Sequence, residues 1–532
     1  MDWTEIELDM PFTPASELTE RYARQHPKKC ALYDLETDSA MTWSEIHEWS
    51  CRIANYLEDL GIRHGDRVAL VADECIEKLL MWLGLWRLGA VVCLFDVGMK
   101  AETLAEMLGA VAPRLLLWND GATEVASLDT PALPRSHFAR WPAGEFFGTL
   151  DEIVTVDRPR REVAAADLAA IFCTSGTTAK PKAVVCDHLS YWLWGLSSLD
   201  IIGLTSEDRT LEYRSFAWSS AHCYSLMPWL QRGHTLYVAR RFSYSRFFDW
   251  IRRHGITFSV TVPAVINMLV NRPTGVTAAD VPTLRHVICS SAPLSESQWR
   301  RFEAIYGIKL LQICGSSEGG SICGNRYYRR KIGTIGLPSK YQQFAIVDGD
   351  GNPCPLGSEG EVTIGGPQLC LGIIQADGRY ERTAGTRFRT GDLAVMDEEG
   401  FVRITGRTKD LIIRGGVNIA PIEIDHLLLQ HPLVCEAAAV GVPDAIYGEE
   451  VVAFAVMKPG TVGSPLELLE YCSAALGDFK APKQLFFIEE IPRNDRGKVN
   501  REALLERWKR EYAVEARRRQ RSGDEHRIEP PK

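Results

Sequence analysis

Helix-type and strand-type hydrophobic spacing alternate through the first part of this chain, and that alternation limits the fold more than any other feature. Residues 41–62, MTWSEIHEWSCRIANYLEDLGI, carry apolar side chains at helical spacing and stop at Gly61. GDRVALVAD follows as a short buried strand. LLMWLGLWRLGAVVCLF (79–95) is the longest apolar run. With Arg87 and two glycines inside it, the run reads as a buried helix turning into a strand, too short and too interrupted to span a membrane. RFFDWIRRHGITFSVTVPAVINMLV later repeats the order helix, strand, helix. This rhythm predicts an α/β fold of layered, largely parallel sheets. At 532 residues the chain is too long for one core, so at least two domains are expected.

From residue 340 or so the texture changes. KYQQFAIVDGDGNPCPLGSEGEVTIGG and LAVMDEEGFVRITGR read as short strands joined by Gly, Asp and Asn turns, which predicts a small β subdomain. Asp348 to Asn352 faintly resembles a calcium loop, but Pro353 stands where such a loop needs glycine, so a hairpin turn is expected. After Gly406 an α+β unit begins, and RRRQRSGDEHRIEPPK closes the chain as a charged tail. The division is an N-terminal domain over 1–408, a C-terminal domain over 409–515 and a flexible tail over 516–532.

Bulk chemistry removes several function classes. Hydrophobic residues make up 45% and charged residues 24%, a folded rather than disordered composition. A net charge of −9 argues against non-specific nucleic-acid binding. None of the 14 cysteines forms a Cys-x-x-Cys pair, so neither a disulfide framework nor a structural zinc site is expected. The acidic start MDWTEIELDM lacks the basic and apolar regions of a signal peptide, and a cytoplasmic protein without a membrane span is expected.

The most unusual stretch is IFCTSGTTAKPKAVV (171–185). A strand runs into Thr174, Ser175, Gly176, Thr177 and Thr178, then past Lys180 and Lys182 into a second strand. Backbone N–H groups in a Gly-Ser-Thr turn converge into a nest, hydroxyls add donors and lysines add charge, so the natural guest is a polyphosphate. The spacing is not that of a Walker P-loop. A plain Ser/Thr linker fits poorly between two β-like segments.

TSGTTAKPK resembles the phosphate-loop signature of the adenylate-forming superfamily, which includes acyl- and aryl-CoA ligases, peptide-synthetase adenylation domains and firefly-type luciferases. Ala179 and Ala183 replace the usual glycines and Cys173 a common aromatic, while Gly176, Pro181 and Lys182 are intact and His188 matches another usual position. Further motifs follow in the superfamily's order: SSAPL (290–294), CGSSEGG (314–320), FRTGDL (388–393), GRTKDLIIRGG (406–416) and RNDRGKV (493–499).

The resemblance implies ATP, Mg²⁺ and coenzyme A as the small molecules handled, and a mobile C-terminal domain. Thr174 to Thr178 with Lys182 would hold the β- and γ-phosphates. Ser291, Ala292 and Pro293 would lie against adenine with Cys314, Gly315 and Ser316. Ser317 would reach the α-phosphate, Glu318 would hold Mg²⁺, and Asp392 with Arg407 would take the ribose. Lys498 would bridge the α-phosphate and the acid. Lys409 is the implied hinge, and rotation about it would exchange Lys498 for the Arg414-Gly415-Gly416 strand beside a pantetheine arm.

The acid itself is less legible. Ala217 in SFAWSS stands where amino-acid-activating relatives carry aspartate, which disfavours an α-amino acid, since its ammonium would be buried unpaired. Trp194, Trp218, Ser291, Ile313 and Cys314 are candidate pocket walls and suggest an organic acid of at least moderate size and apolar character. No carrier domain follows Lys498, so a free-standing carboxylate–CoA ligase is expected, with loading of a separate carrier protein as the alternative.

Overall fold

The structure, a computed structural model, describes residues 8–130, 132–138, 162–174, 181–494 and 497–512. The sequence rhythm becomes two mainly parallel sheets. One has eight strands, in the order Tyr380–Arg382, Gly372–Gln375, Lys182–Asp187, Leu168–Thr174, Val91–Phe95, Arg67–Val71, Leu115–Trp118, Arg135–His137. From Leu168–Thr174 onward all neighbours are parallel. The other has nine strands: Leu337–Pro338, Gly320–Gly324, Lys309–Ser316, His286–Cys289, Phe258–Thr261, Arg209–Glu212, Thr235–Val238, Cys30–Asp34, Ser39–Thr42. It is parallel from Lys309–Ser316 through Cys30–Asp34 and antiparallel at both ends.

The helices explain the packing. Trp43–Asp59 starts with a capping box, in which Thr42 accepts from the Glu45 N–H and Glu45 from the Thr42 N–H. Ile76–Arg87 is buried over its full length, which is why its sequence shows no polar face. It leads through Gly89, at φ +71°, into the buried strand Val91–Phe95, as the sequence suggested. One apolar cluster joins the inner faces of both sheets through Leu79, Leu80 and Leu83 of that helix and Trp192, Trp194 and Trp229.

The expected β subdomain is an antiparallel sheet ordered Gln343–Val347, Gly360–Gly365, Phe388–Met396, Val402–Arg407. Its first turn is a hairpin turn, with Asp348 Oδ1 accepting from the N–H groups of Asp350 (3.0 Å) and Asn352 (2.9 Å). A 3₁₀ turn, Thr408–Asp410, leads to the α+β unit. Strands Ile412–Arg414, Val417–Ile419, Val434–Asp444, Gly448–Met457 and Gln484–Phe487 pack with helices Pro421–Leu428, Pro465–Lys480 and Arg501–Glu511 around apolar clusters of their own. The sequence-predicted tail lies outside the described residues. No described helix is long and apolar enough to cross a membrane.

Candidate active site

A cavity of about 610 Å³ opens where the carboxyl ends of the nine-stranded sheet face the C-terminal α+β unit, the place where open α/β sheets bind ligands. Beyond His286–Cys289 come Ser291, Ala292 and Pro293; Lys309–Ser316 supplies Ile313, Cys314 and Gly315. The antiparallel sheet brings Asp392 and Arg407, the 3₁₀ turn Lys409, and the far end of the chain Lys498. Ser291 adopts φ +76°. Such strain in a non-glycine residue concentrates at ligand sites.

The charges of this wall are arranged in advance. Asp392 and Arg407 are register partners across adjacent strands. Arg407 Nε donates to Asp392 Oδ1 at 2.6 Å, leaving the other carboxylate oxygen to accept from a ligand. Cys314 shows how closely the groups converge: burial pushes its thiol up to about 12, with Asp392 adding to the shift and Arg407 and Lys498 opposing it.

The loop that carries Lys498 is fixed through its backbone. Arg493 and Val499 form a β-bridge. Across the loop between them, Asn494 N donates to Lys498 O and Gly497 N to Asn494 O, both at 2.9 Å. Lys498 N in turn donates to Asn494 Oδ1 at 2.9 Å, and Gly497 turns the chain at φ +72°.

Lys182 stands beside Glu318, three residues beyond the cavity residue Gly315. Thr174 and Lys182 are partners at the base of the hairpin formed by Leu168–Thr174 and Lys182–Asp187. Ser175, Gly176, Thr177 and Thr178 lie outside the described residues. Lys182 Nζ donates to Glu318 Oε1 at 2.6 Å. Burial alone would push the Glu318 carboxyl up, but the Lys182 ammonium and hydrogen bonds outweigh it and hold the group below its ordinary value. Ser316 Oγ accepts from Gly319 N at 3.0 Å, and Ser219 Oγ donates to Ser317 Oγ at 3.2 Å.

Other sequence candidates stand elsewhere. Trp194 is completely buried, with Nε1 donating to Gln368 O at 2.9 Å, and neither it nor Trp218 lines the cavity. Arg414 is buried and paired with Glu450 at 2.9 Å between the rings of Tyr447 and Phe479. Gly415 and Gly416 are a two-residue hairpin turn, both at positive φ, rather than part of a strand. Around that turn Ile413, Val417, Ile446, Tyr447 and Phe479 are exposed. His188 is core, packed on Trp86, and burial drops it to about 4.

Sequence reading missed a contact between the two halves of the site. Gln298 Nε2 and Asn271 Nδ2 both donate to Asn267 Oδ1 at 2.8 Å. Asn271 Nδ2 also reaches Cys435 Sγ of the C-terminal unit at 3.2 Å, and Asn267 Nδ2 reaches Cys435 O at 3.4 Å. Three scattered amides and a thiol carry no motif, and no local signal could have found them.

The AMP-binding enzyme profile matches residues 19–374, and the AMP-binding enzyme C-terminal domain profile matches residues 423–498. The chain belongs to the AMP-binding enzyme family. Among its curated relatives in this family, a sulfoacetate–CoA ligase of Cupriavidus necator is 32% identical over 496 residues, covering 91% of this chain and 96% of that protein. A fatty acid–[acyl-carrier-protein] ligase of Streptomyces coeruleorubidus is 30% identical, covering 92% and 96%. ATP-bound MatB from Rhodopseudomonas palustris superposes with a TM-score of 0.86 at 26% identity, covering 93% of this chain and 99% of that one. The two-part fold predicted from the sequence is the fold of this family.

Proposed function

We propose that this family member joins an organic carboxylic acid to ATP, releasing pyrophosphate, and then passes the acyl group from AMP to the thiol of coenzyme A. The observation that carries this reading is the cavity in which Ser291 to Pro293, Cys314, Asp392 and Arg407 meet Lys498 from the other end of the chain.

The first step brings two anions together, so its barrier is set by charge. Attack of a carboxylate oxygen on the α-phosphorus forms a P–O bond as the bond to pyrophosphate breaks. The Asp392 carboxylate takes the ribose hydroxyls, and Ser291 to Pro293 with Cys314 and Gly315 hold adenine, fixing the α-phosphorus in place. Lys498 brings a compact cation to the junction of acid and phosphate, where one aimed donor is worth about 3 to 4 kcal/mol. Ser317 adds a hydroxyl donor. The loop at 174–182 takes the β- and γ-phosphates, and Lys182, paired with Glu318 in this structure, turns to them when ATP binds.

Mg²⁺ fits the residues present. Glu318 is held ionised, and Mg²⁺ favours one or two carboxylates combined with phosphate oxygens. Among the described residues no group of three or more His, Cys, Asp and Glu could hold a metal. Glu318 would hold the ion, which when bound supplies charge neutralisation at the phosphates.

For the second step we infer that the unit from Lys409 onward turns about the Thr408–Asp410 segment, withdrawing Lys498 and presenting the Gly415–Gly416 turn. The exposed apolar side chains around that turn support this, since an exposed apolar patch marks a surface that is covered in another state. The test is acid-dependent pyrophosphate exchange over a panel of carboxylic acids, with and without coenzyme A. Exchange plus an acyl-CoA product is expected. Exchange with thioester formed only on a carrier protein would replace the acceptor, and no exchange with any acid would overturn the reading.

A further inference from the structure

Behind Gly315, a residue of the cavity wall, two large side chains fill the space on the acid's side, and this bears on the acid's length. The inference rests on the acid-activating reading above. With adenine against Ser291 to Pro293 and ribose at Asp392, the acid's carboxylate has to sit beside Lys498 and the 314–317 segment. Its remaining atoms then point away from the nucleotide, toward the segment that carries Ser219, whose hydroxyl lies 3.2 Å from that of Ser317.

Glycines in strands often mark a close approach by a ligand or by another part of the chain. Two stand here, Gly315 and Gly320, and in both cases the approaching group belongs to the protein itself. A methyl carbon added at Gly315 would lie 2.6 Å from the Tyr224 hydroxyl oxygen, and one at Gly320 would overlap the Trp194 indole.

Trp194 is anchored by hydrogen bonding and stacking, and Tyr224 is buried. Trp194 donates to Gln368 O and stacks on Tyr191 at 5.4 Å. Gln368 is itself fully buried and tied to Ser197 Oγ at 2.6 Å and Gly319 O at 2.8 Å. Tyr224 lies in a single π-helical turn, His222–Leu226, with the Arg214 guanidinium 6.0 Å from its ring centre. Such turns are frequent at functional sites.

We propose that Trp194 and Tyr224 set the length limit of the acid: the site takes a short-chain carboxylic acid and excludes long-chain and extended aryl acids. Trp194, which looks in sequence like the wall of an apolar pocket, is with Tyr224 the plug that shortens it.

Pyrophosphate exchange over straight-chain acids from acetate to octanoate, together with short acids bearing a hydroxyl, second carboxylate or sulfonate, tests this. The wild-type protein is expected to peak at about five carbons or fewer, and kcat/KM for octanoate is expected to fall at least about tenfold below that of the best short acid. Trp194→Ala and Tyr224→Ala are expected to raise the octanoate-to-short-acid ratio at least about tenfold. Trp194→Leu, which keeps more of the core filled, is measured beside them and shifts the ratio in the same direction. A wild-type preference for octanoate, or an unchanged ratio in the folded variants, overturns the length limit while leaving acid activation standing. No exchange with any acid would remove both.

Discussion

Replacing Lys498 with alanine separates the two half-reactions, and the structure sets the size of the effect. The side chain lines the cavity with Asp392 and Arg407, and its charge is felt at Cys314. Two unit charges about 4 Å apart interact by about 4 kcal/mol at an effective dielectric constant of about 20. Arg407 shares the wall and offsets part of the loss, leaving about 3 to 4 kcal/mol, or about a 150- to 900-fold fall in adenylate formation. The loop itself should survive, because the hydrogen bonds that Lys498 makes to Asn494 use the Lys498 backbone. The assay runs both halves on one preparation: pyrophosphate exchange for the first, and thioester formation from supplied acyl-adenylate and coenzyme A for the second. The first is expected to collapse and the second to stay within a few-fold of wild type. Equal loss in both would show that Lys498 stays at the reaction centre throughout, and the rotation about Lys409 would fall with it.

Three further expectations follow from individual contacts. Asp392→Ala removes the acceptor offered to the ribose and should raise the KM for ATP by about 10- to 150-fold, as expected for a hydrogen bond to a charged group; an unchanged KM places the ribose elsewhere. Glu318 is held below its ordinary 4.5, so its pairing with Lys182 stabilises the fold fully above that pH and the contribution is lost as pH falls through the lowered value. Lys182→Met leaves burial to push the carboxyl up, so stability should drop by about 1 to 3 kcal/mol at neutral pH and acid unfolding should begin at higher pH; a melt series unchanged between pH 3 and 7 would contradict this. Cys435, half-buried against Asn271, should react with iodoacetamide more slowly when ATP and a non-reactive acid analogue are bound than with AMP and coenzyme A; equal rates would place the Asn267–Asn271–Cys435 contact in both orientations.

Parts of the site differ in how far the sequence reveals them, and the difference is physical. The hydroxyl-rich stretch at 174–178 stands out in the sequence because few guests other than a polyphosphate suit glycine, hydroxyls and lysines placed together, but residues 175–178 lie outside the described residues. The helix–strand passage at 76–95 is legible because its burial is continuous and its punctuation, Gly89, is local. Asp392 and Arg407 can each be found by motif, but their pairing comes from register between two strands. The Asn267 and Asn271 contact with Cys435 depends on how one folded unit rests on another, over a sequence separation of more than 160 residues. Trp194 shows a subtler limit. Its helix, His188–Ile202, is buried almost all round, so the pattern signals burial without telling which neighbours fill the space. A tryptophan beside a binding site can line a cavity or occupy it, and composition is the same in both cases. What decides is whether a glycine opposite has its missing side chain replaced by ligand or by protein. At Gly315 and Gly320 it is protein, so in this chain the large aromatic residues argue for a small substrate.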